Sequence, residues 1–189
     1  MNMPESRTSL FKRLRVVLVE TSRPGNIGAV ARAMKTMGFS DLVVVNPRFA
    51  DAFIHEEAVA FASGAQDILA NARSVDSMAK ALEGCNFAAA LSARPREFSP
   101  PLVSPRALAG QLANDETLYP ALVFGNERFG LPNEVVEQCN VLINIPANPD
   151  YSSLNLAQAV QVLAYECRVA CLGEAEPVKT AVGFHGEHA

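Results

Sequence analysis

The sequence contains no apolar run approaching the roughly 20 residues that a membrane-spanning helix requires, and its first residues lack the apolar segment of a signal peptide. We therefore expect a soluble, cytoplasmic protein. The cysteines form no CxxC pair and have no His or Cys neighbours at zinc-ligand spacing. They are Cys85, Cys139, Cys167 and Cys171. This usage indicates reduced thiols that behave as small apolar side chains, and we predict no metal site.

The sequence also lacks an overall positive charge, since its 189 residues carry a formal net charge of −4. That balance argues against a protein that coats nucleic acid through electrostatics alone. The charge is unevenly distributed, because residues 1–48 carry +5 and the remaining residues −9. Such asymmetry fits either a basic RNA-binding face or a chance cluster of solvated charges. Charge alone does not separate the two explanations.

Apolar runs alternate with helical patterns along the chain. Five runs are typical of buried strands, at residues 15–20, 42–46, 87–92, 121–125 and 141–145. Helical patterns cover residues 27–38, 77–82, 106–112, 133–138 and 156–171, and an Ala-rich segment covers residues 56–72. This alternation predicts an α/β fold with a mainly parallel sheet and helices on both faces. We expect a single domain over residues 1–173 and a disordered tail over residues 174–189.

Three polar segments lie between these elements. Pro24-Gly-Asn-Ile-Gly-Ala-Val-Ala-Arg32 opens a helix after a strand, Phe124-Gly-Asn-Glu-Arg-Phe-Gly-Leu-Pro132 follows another strand, and Asn148-Pro-Asp-Tyr-Ser-Ser-Leu-Asn155 precedes the last helix. Solvated helix charges, an ordinary turn and helix caps would each explain one of them. The helix start in the first segment also predicts affinity for RNA phosphates. Its glycines are spaced GxxG, not GxGxxG, which disfavours a nicotinamide-dependent oxidoreductase.

Together, in order and spacing, the three segments resemble the signature motifs of the TrmH branch of the SPOUT methyltransferases. An N-x-G-x-x-x-R element matches Asn26 to Arg32, an N-E-R-x-G element matches Asn126 to Gly130, and an S-L-N element matches Ser153 to Asn155. The flanking residues look most like the TrmJ subfamily, whose members are tRNA (cytidine/uridine-2′-O-)-methyltransferases acting on the first nucleotide of the anticodon loop. The resemblance covers about residues 15–172.

The resemblance implies a C-terminal trefoil knot, S-adenosyl-L-methionine as cofactor, a tRNA substrate, and a homodimer with its active site at the subunit interface. It places Arg32 of one subunit beside the cofactor of the other. The cofactor contacts that it implies are Leu91, Ser92, Ala93, Gly125, Ile145, Ser152, Ser153 and Leu154. The catalytic residues that it implies are Arg32, Asn26, Glu127, Ser153 and Asn155.

The family pattern makes Arg32 the base that removes the hydroxyl proton, with help from a substrate phosphate. A guanidinium with a pKa above about 12 rarely releases its proton, so a charged Arg32 could instead stabilise the developing oxyanion. Asn26 and Ser153 would orient the ribose or Arg32, Glu127 would fix the pocket, and Asn155 would brace the loop. Alignment of the two reactants can contribute roughly 7–11 kcal/mol.

Two other functions stay open at this point. A ribosomal RNA 2′-O-methyltransferase shares all three motifs, although such enzymes often carry an added RNA-binding domain that this sequence does not show. A non-catalytic RNA-binding protein with the same fold is the second alternative, and the intact motif residues argue against it. TrmJ proteins usually continue into a helical C-terminal extension that assists tRNA binding. This chain stops near that boundary, which leaves its own affinity for tRNA open.

Overall fold

The computed structural model describes residues 9–92 and 100–173. The strands are β1 (Arg15–Val19), β2 (Asp41–Val45), β3 (Arg73–Val75), β4 (Phe87–Leu91), β5 (Leu102–Val103), β6 (Pro120–Phe124) and β7 (Val141–Ile143). The helices are α1 (Leu10–Arg13), α2 (Pro24–Met37), α3 (Glu56–Ala62), α4 (Gln66–Asn71), α5 (Met78–Ala81), α6 (Pro105–Asn114), α7 (Asn133–Glu137) and α8 (Leu156–Leu172). Ala93 and the tail at residues 174–189, for which we made predictions, lie outside the described residues.

All pairs of neighbouring strands run parallel, in the order β3-β2-β1-β6-β4-β7-β5. The predicted α/β fold with a parallel sheet is confirmed. Because the strands are parallel, their carboxyl ends meet at one edge of the sheet. The chain therefore leaves β1, β6 and β7 at this same edge, and the three polar segments follow these strands, the first of them as the start of α2.

Side chains of each central strand alternate between two cores, as the pleat of a strand requires. In β1, Val16 and Leu18 join a core formed with α2, α3, α4, α6 and α8. Val17 and Val19 join a second core on the other face, which contains residues of α5 and α7. Helices thus cover both faces of the sheet, as the continuous apolar runs predict.

Helices α2 and α3 pack so closely that one position between them must be glycine. A Cβ atom at Gly28 would lie 2.0 Å from the carbonyl oxygen of Ala58. The Ala-rich segment at residues 56–72 is divided at this place. Helix α3 ends at Ala62, its C-cap Ser63 has a φ of 52°, and a 3-10 turn (Ser63–Ala65) leads into α4.

Within residues 9–92 and 100–173, the structure has no helix with both the length and the apolar character needed to cross a membrane. The same part of the chain contains no cluster of three or more His, Cys, Asp or Glu side chains that could hold a metal ion. All four cysteines are free thiols.

Candidate active site

The second motif forms a tight turn at the end of β6. Asn126 and Gly130 pair through two backbone hydrogen bonds, each 3.0 Å long. The side-chain oxygen of Asn126 accepts hydrogen bonds from the backbone N–H groups of Arg128 at 2.8 Å and Phe129 at 3.0 Å. Its amide nitrogen donates to the carbonyl of Glu20 at 2.7 Å, in the loop after β1. Asn126 therefore fixes both its own turn and the neighbouring loop, a function that sequence reasoning missed although Asn126 opens the N-E-R-x-G motif.

Gly125 packs against the backbone of this turn at Gly130. A Cβ atom at Gly125 would come within 2.3 Å of the backbone carbon of Gly130, a distance at which the turn would have to open. Gly130 itself has a φ of 70°, in the left-handed region that glycine adopts without strain. The tight geometry of the turn is therefore the first reason why both of these positions are glycine.

Glu127 joins the second motif to the first. Its carboxylate accepts hydrogen bonds from the Ser22 backbone N–H at 3.0 Å and hydroxyl at 3.1 Å, from the Arg23 N–H at 3.3 Å, and from the Asn26 side-chain amide at 2.6 Å. Partial burial by itself raises the pKa of Glu127, but the hydrogen bonds from Ser22 and Asn26 outweigh it and the pKa lies below its ordinary value. The carboxylate is therefore held ionised and is a poor proton acceptor at neutral pH.

The position of Glu127 corrects one expectation about the start of α2. We expected free N–H groups there to attract RNA phosphates. Helix α2 has no side-chain cap from Arg23 and no acidic residue in its first turn, and the Glu127 carboxylate lies at this end instead. A negative charge at a helix N-terminus is favourable, but it repels a second anion, so phosphate binding at this position is disfavoured.

The loop after β1 is strained next to this junction. Glu20 is a non-glycine residue with a φ of 56°. The hydroxyl of Thr21 is fully buried and has no hydrogen-bond partner among the described residues. Both features cost free energy, and such features cluster at functional sites. They mark this loop as part of the candidate site.

The arginine of the first motif, Arg32, lies on α2 and is exposed. In the part of the chain that the structure describes, Arg32, Arg23 and Arg128 form no ion pair with a carboxylate. Asn26 is half-buried and its amide is bound to Glu127. Arg23 and Arg128 belong to the two joined segments and Arg32 lies further along α2, and all three side chains are exposed to an anionic ligand.

Other basic side chains of the N-terminal segment form contacts within the fold and are not free to bind a ligand. Arg13 is buried and donates to the carbonyls of Leu112, Asp115 and Leu118 at the end of α6. Arg15 binds Asp41 at 3.0 Å. The local positive charge is therefore only partly a surface feature.

Lys35 and Arg48 are paired as well. Lys35 forms an ion pair with Asp67 at 3.0 Å, and Arg48 forms one with Glu20 at 3.1 Å. Among the bases of residues 9–48, this leaves Lys12, Arg23 and Arg32 exposed without an ion pair to a described residue, and Arg128 of the second motif adds a fourth such base.

The third motif begins α8. Asn155 accepts a hydrogen bond from the Gln158 backbone N–H at 2.8 Å, and its own N–H donates to the Gln158 side chain at 3.0 Å. This capping box explains Asn155 as a brace of the loop. Ser152, Ser153 and Leu154 are exposed directly before it.

A groove of about 930 Å³ lies between α8, the start of α6 and the segment after β7. Its apolar lining includes Met37, Pro105, Ile145, Leu154, Val162 and Tyr165. Tyr165 is 52% exposed there. Two predicted cofactor contacts, Ile145 and Leu154, thus share one apolar surface.

The predicted cofactor contacts follow neighbouring strands. Leu91 is the last residue of β4 and pairs with Ile143 in β7, and the Ser92 N–H donates to the Ile143 carbonyl at 3.2 Å. Strand β4 pairs with β7 on one side and with β6 on the other, and Gly125 directly follows β6. The geometry therefore brings the ends of three strands together at one edge of the sheet.

The structure does not join all the predicted catalytic residues directly. Asn26 and Glu127 are in contact. Among the described residues, no hydrogen bond or ion pair links Ser153 or Asn155 to Arg32. Within one chain, the first two motifs are thus hydrogen-bonded to each other, whereas the third is stabilised by its own capping box.

Comparison with known proteins identifies the family. Residues 13–165 match the model of the SpoU rRNA Methylase family. A tRNA (cytidine/uridine-2′-O-)-methyltransferase TrmJ from Pectobacterium atrosepticum is 50% identical over 164 residues, which is 86% of this chain and 67% of that protein. This chain therefore spans about two thirds of the relative's length.

Solved structures share the fold. TrmJ from Z. mobilis ZM4 superimposes with a TM-score of 0.77 at 37% identity, over 86% of this chain and 70% of that one. An AdoMet-bound rRNA methyltransferase from Sinorhizobium meliloti has a TM-score of 0.67 at 22% identity, over 85% of this chain and 60% of that one. Because the family model matches residues 13–165, which are most of this chain, the chain belongs to the SpoU rRNA Methylase family.

Proposed function

We propose that this chain transfers a methyl group from S-adenosyl-L-methionine to the 2′-oxygen of a cytidine or uridine in tRNA, at the first nucleotide of the anticodon loop (position 32). The observation that carries the proposal is the hydrogen bond that joins Asn26 to Glu127, because it unites two motifs of the family at the carboxyl edge of the sheet. The identity with a tRNA (cytidine/uridine-2′-O-)-methyltransferase supports the substrate.

The residues at this edge fit the cofactor. The ends of β4, β6 and β7 offer the backbone groups of Ser92, Gly125 and Ile145, and the exposed Ser152–Leu154 segment adds more. The apolar surface of Ile145 and Leu154 suits an adenine ring. When bound, the cofactor supplies an electrophilic methyl group. The predicted contact Ala93 stays part of this proposal.

A trefoil knot would complete this pocket. We propose it for the C-terminal part of the sheet, where the segment after β7 would pass through a loop made by earlier residues. The strand order supports this topology, because β7 lies between β4 and β5, both of which precede it in the chain. Helix α8 then returns to pack against α2 and α6.

The proposed site residues act in two ways, by electrostatic stabilisation and by positioning of the substrate. Arg32 acts through its guanidinium charge and stabilises the negative charge that develops on the ribose oxygen, an effect of about 3–4 kcal/mol per good donor in other enzymes. Glu127, with its lowered pKa, acts by holding Asn26 and not as a base. Asn26 and Ser153 orient the ribose, and Asn155 braces the loop that carries Ser153.

We further propose a homodimer with the active site at the subunit interface, formed when a second copy covers the groove beside α8. The groove is mainly apolar and continuous with Ile145 and Leu154 of the proposed cofactor site. Exposed Tyr165, Val169 and Leu172 extend its apolar character along α8. A second copy seated there would supply its Arg32 to the site. Tyr165→Glu is expected to give a folded monomer without turnover, measured by sedimentation and methyl transfer, and an unchanged dimer would contradict this arrangement.

The direct test uses unmodified tRNA transcripts and labelled S-adenosyl-L-methionine, with the product mapped by nuclease digestion and mass spectrometry. We expect label on the ribose at position 32. Label on a base would overturn the 2′-O assignment. Ribosomal RNA transcripts serve as the second arm, because the family model is named for rRNA methylation, and preferential labelling there would replace tRNA as the substrate.

A variant tests the assigned chemistry. Arg32→Ala is expected to abolish turnover while calorimetry shows nearly unchanged binding of S-adenosyl-L-methionine. Lys35→Ala is the matched control, since Lys35 lies one turn further along α2 and pairs with Asp67. Loss of cofactor affinity in Arg32→Ala would place Arg32 in the architecture of the pocket instead.

A further inference from the structure

Phe129 stands out among the exposed apolar side chains of the molecule. It is 72% exposed at the tip of the turn between Asn126 and Gly130. Its backbone N–H is held by the Asn126 side chain at 3.0 Å, and the closed turn is packed against Gly125. A firmly held turn thus presents an aromatic ring to solvent, where the ring adds little to the core.

A guanidinium lies beside the ring. The Arg128 guanidinium lies 5.3 Å from the ring centroid, within the range of a cation–π interaction. Arg23 is exposed, and its backbone N–H is bonded to Glu127 in the same junction. Neither arginine forms an ion pair with a carboxylate within residues 9–92 and 100–173.

An exposed aromatic ring beside an arginine is a combination that binds unstacked bases of single-stranded nucleic acid. The ring stacks on a base of any identity, and the guanidinium contacts a flanking phosphate. A protein partner would fit less well, because a single exposed ring beside a guanidinium offers no continuous apolar patch.

We propose that Phe129 is the stacking surface for an unpaired base of the RNA substrate, at or next to the methylated ribose, with Arg128 binding an adjacent phosphate. The inference rests on the proposed function and deepens it by assigning a substrate contact. Phe129 is two residues from Glu127, which is bound to Asn26, so the stacked base lies near the proposed site of methyl transfer. The ring acts on substrate binding and not on the chemical step.

The test compares Phe129→Ala, Phe129→Leu and Phe129→Trp. The Ala and Leu variants are expected to raise KM for tRNA about 5- to 100-fold, the range for loss of one base–aromatic stack, with kcat changed less than about threefold. Phe129→Trp is expected to stay close to the unsubstituted protein, because it keeps a flat ring. Cofactor affinity and the sedimentation coefficient should be unchanged in all three. Tyr119→Ala is the matched control, since Tyr119 is exposed at the opposite, amino-terminal edge of the sheet.

A second readout does not depend on methyl transfer. An RNA hairpin carrying 2-aminopurine in its loop is expected to change fluorescence on binding the unsubstituted protein, but not on binding Phe129→Leu. Failure of methylation together with this fluorescence difference would refute the proposed function and retain the stacking surface. Equal KM values for Phe129→Leu and the unsubstituted protein, or a changed oligomeric state in Phe129→Ala, would overturn the inference, the latter because the ring would then contact a second copy.

Discussion

The side-chain amide of Asn26 donates a 2.6 Å hydrogen bond to the carboxylate of Glu127, across 101 positions of the sequence. The same carboxylate accepts two hydrogen bonds from Ser22 and one from Arg23. Four donors around one anion leave it little freedom to move or to take up a proton. The loop after β1 and the turn after β6 therefore behave as one unit.

Replacing Glu127 by Gln is expected to reduce stability by about 1–3 kcal/mol, because a neutral amide loses the charged hydrogen bonds and turns one donor toward the donors of Ser22 and Asn26. Turnover should fall with it, since Asn26 loses its anchor. Urea unfolding at pH 7 measures the stability. Glu137→Gln, which changes an exposed carboxylate on α7, is the control and should change stability by less than about 0.5 kcal/mol. Equal stabilities of Glu127→Gln and the unsubstituted protein would contradict the assignment.

The pH dependence follows from the lowered pKa of Glu127. A carboxyl group with a depressed folded-state pKa adds stability that is fully present above the ordinary value of 4.5 and is lost as pH falls through the lower, folded-state pKa. We expect the stability difference between the unsubstituted protein and Glu127→Gln to shrink over that acid range. Urea titrations at several pH values measure it. A difference that grows as pH falls would show that the pKa is raised instead.

Gly28→Ala is expected to destabilise the protein by about 1–3 kcal/mol through overpacking, because the added carbon meets the backbone of Ala58. The matched control is Gly110→Ala in α6, where an added Cβ meets nothing within 4 Å. That change should stabilise the helix by about 0.5–1 kcal/mol. Thermal unfolding of both variants measures the opposite signs, and a stabilised Gly28→Ala would refute the close packing of α2 on α3.

Arg13→Met is expected to cost about 2–3 kcal/mol, since it leaves carbonyl groups at the end of α6 without their donor. The hydrocarbon part of the side chain is kept, so the loss reports on the hydrogen bonds. Lys12→Met, at the exposed neighbouring position, is the control and should be nearly neutral. Chemical denaturation compares the two, and equal effects would show that Arg13 acts through general charge.

The cysteines are expected to react with iodoacetamide in two classes. Burial raises the pKa of Cys139 to about 11 and that of Cys167 to about 12, so both thiols stay protonated and shielded at pH 8. Cys85 and Cys171 are half-buried, with pKa values raised chiefly by burial, and should be modified first. Peptide mass spectrometry measures the order, and protein unfolded in urea, where all four should react alike, is the control.

The sequence predicted the central strands because each is a continuous apolar run. It missed β3 and β5, which have three and two residues and lie at the two edges of the sheet. Edge strands this short keep polar or exposed positions such as Arg73 and Leu102. Hydrophobic periodicity needs more residues than these strands provide.

The candidate site was predicted as a set of motifs, but its contacts were not. The resemblance to the family motifs identified Asn26, Glu127 and Asn155, and the cap made by Asn155 follows from residue type alone. The bond between Asn26 and Glu127 depends on β1 and β6 being neighbours, which local pattern does not specify. The count of N-terminal bases likewise could not reveal that Arg13 is buried.

The capping box at Asn155 gives the third loop a different character from the first two. In residues 146–154, the hydrogen bonds among described residues join positions no more than three apart, as between Asn148 and Tyr151. These hydrogen bonds tie the segment to neither of the other two motifs. A substitution within residues 146–154 is therefore expected to leave the bond between Asn26 and Glu127 intact, so that the two halves of the candidate site can be altered independently.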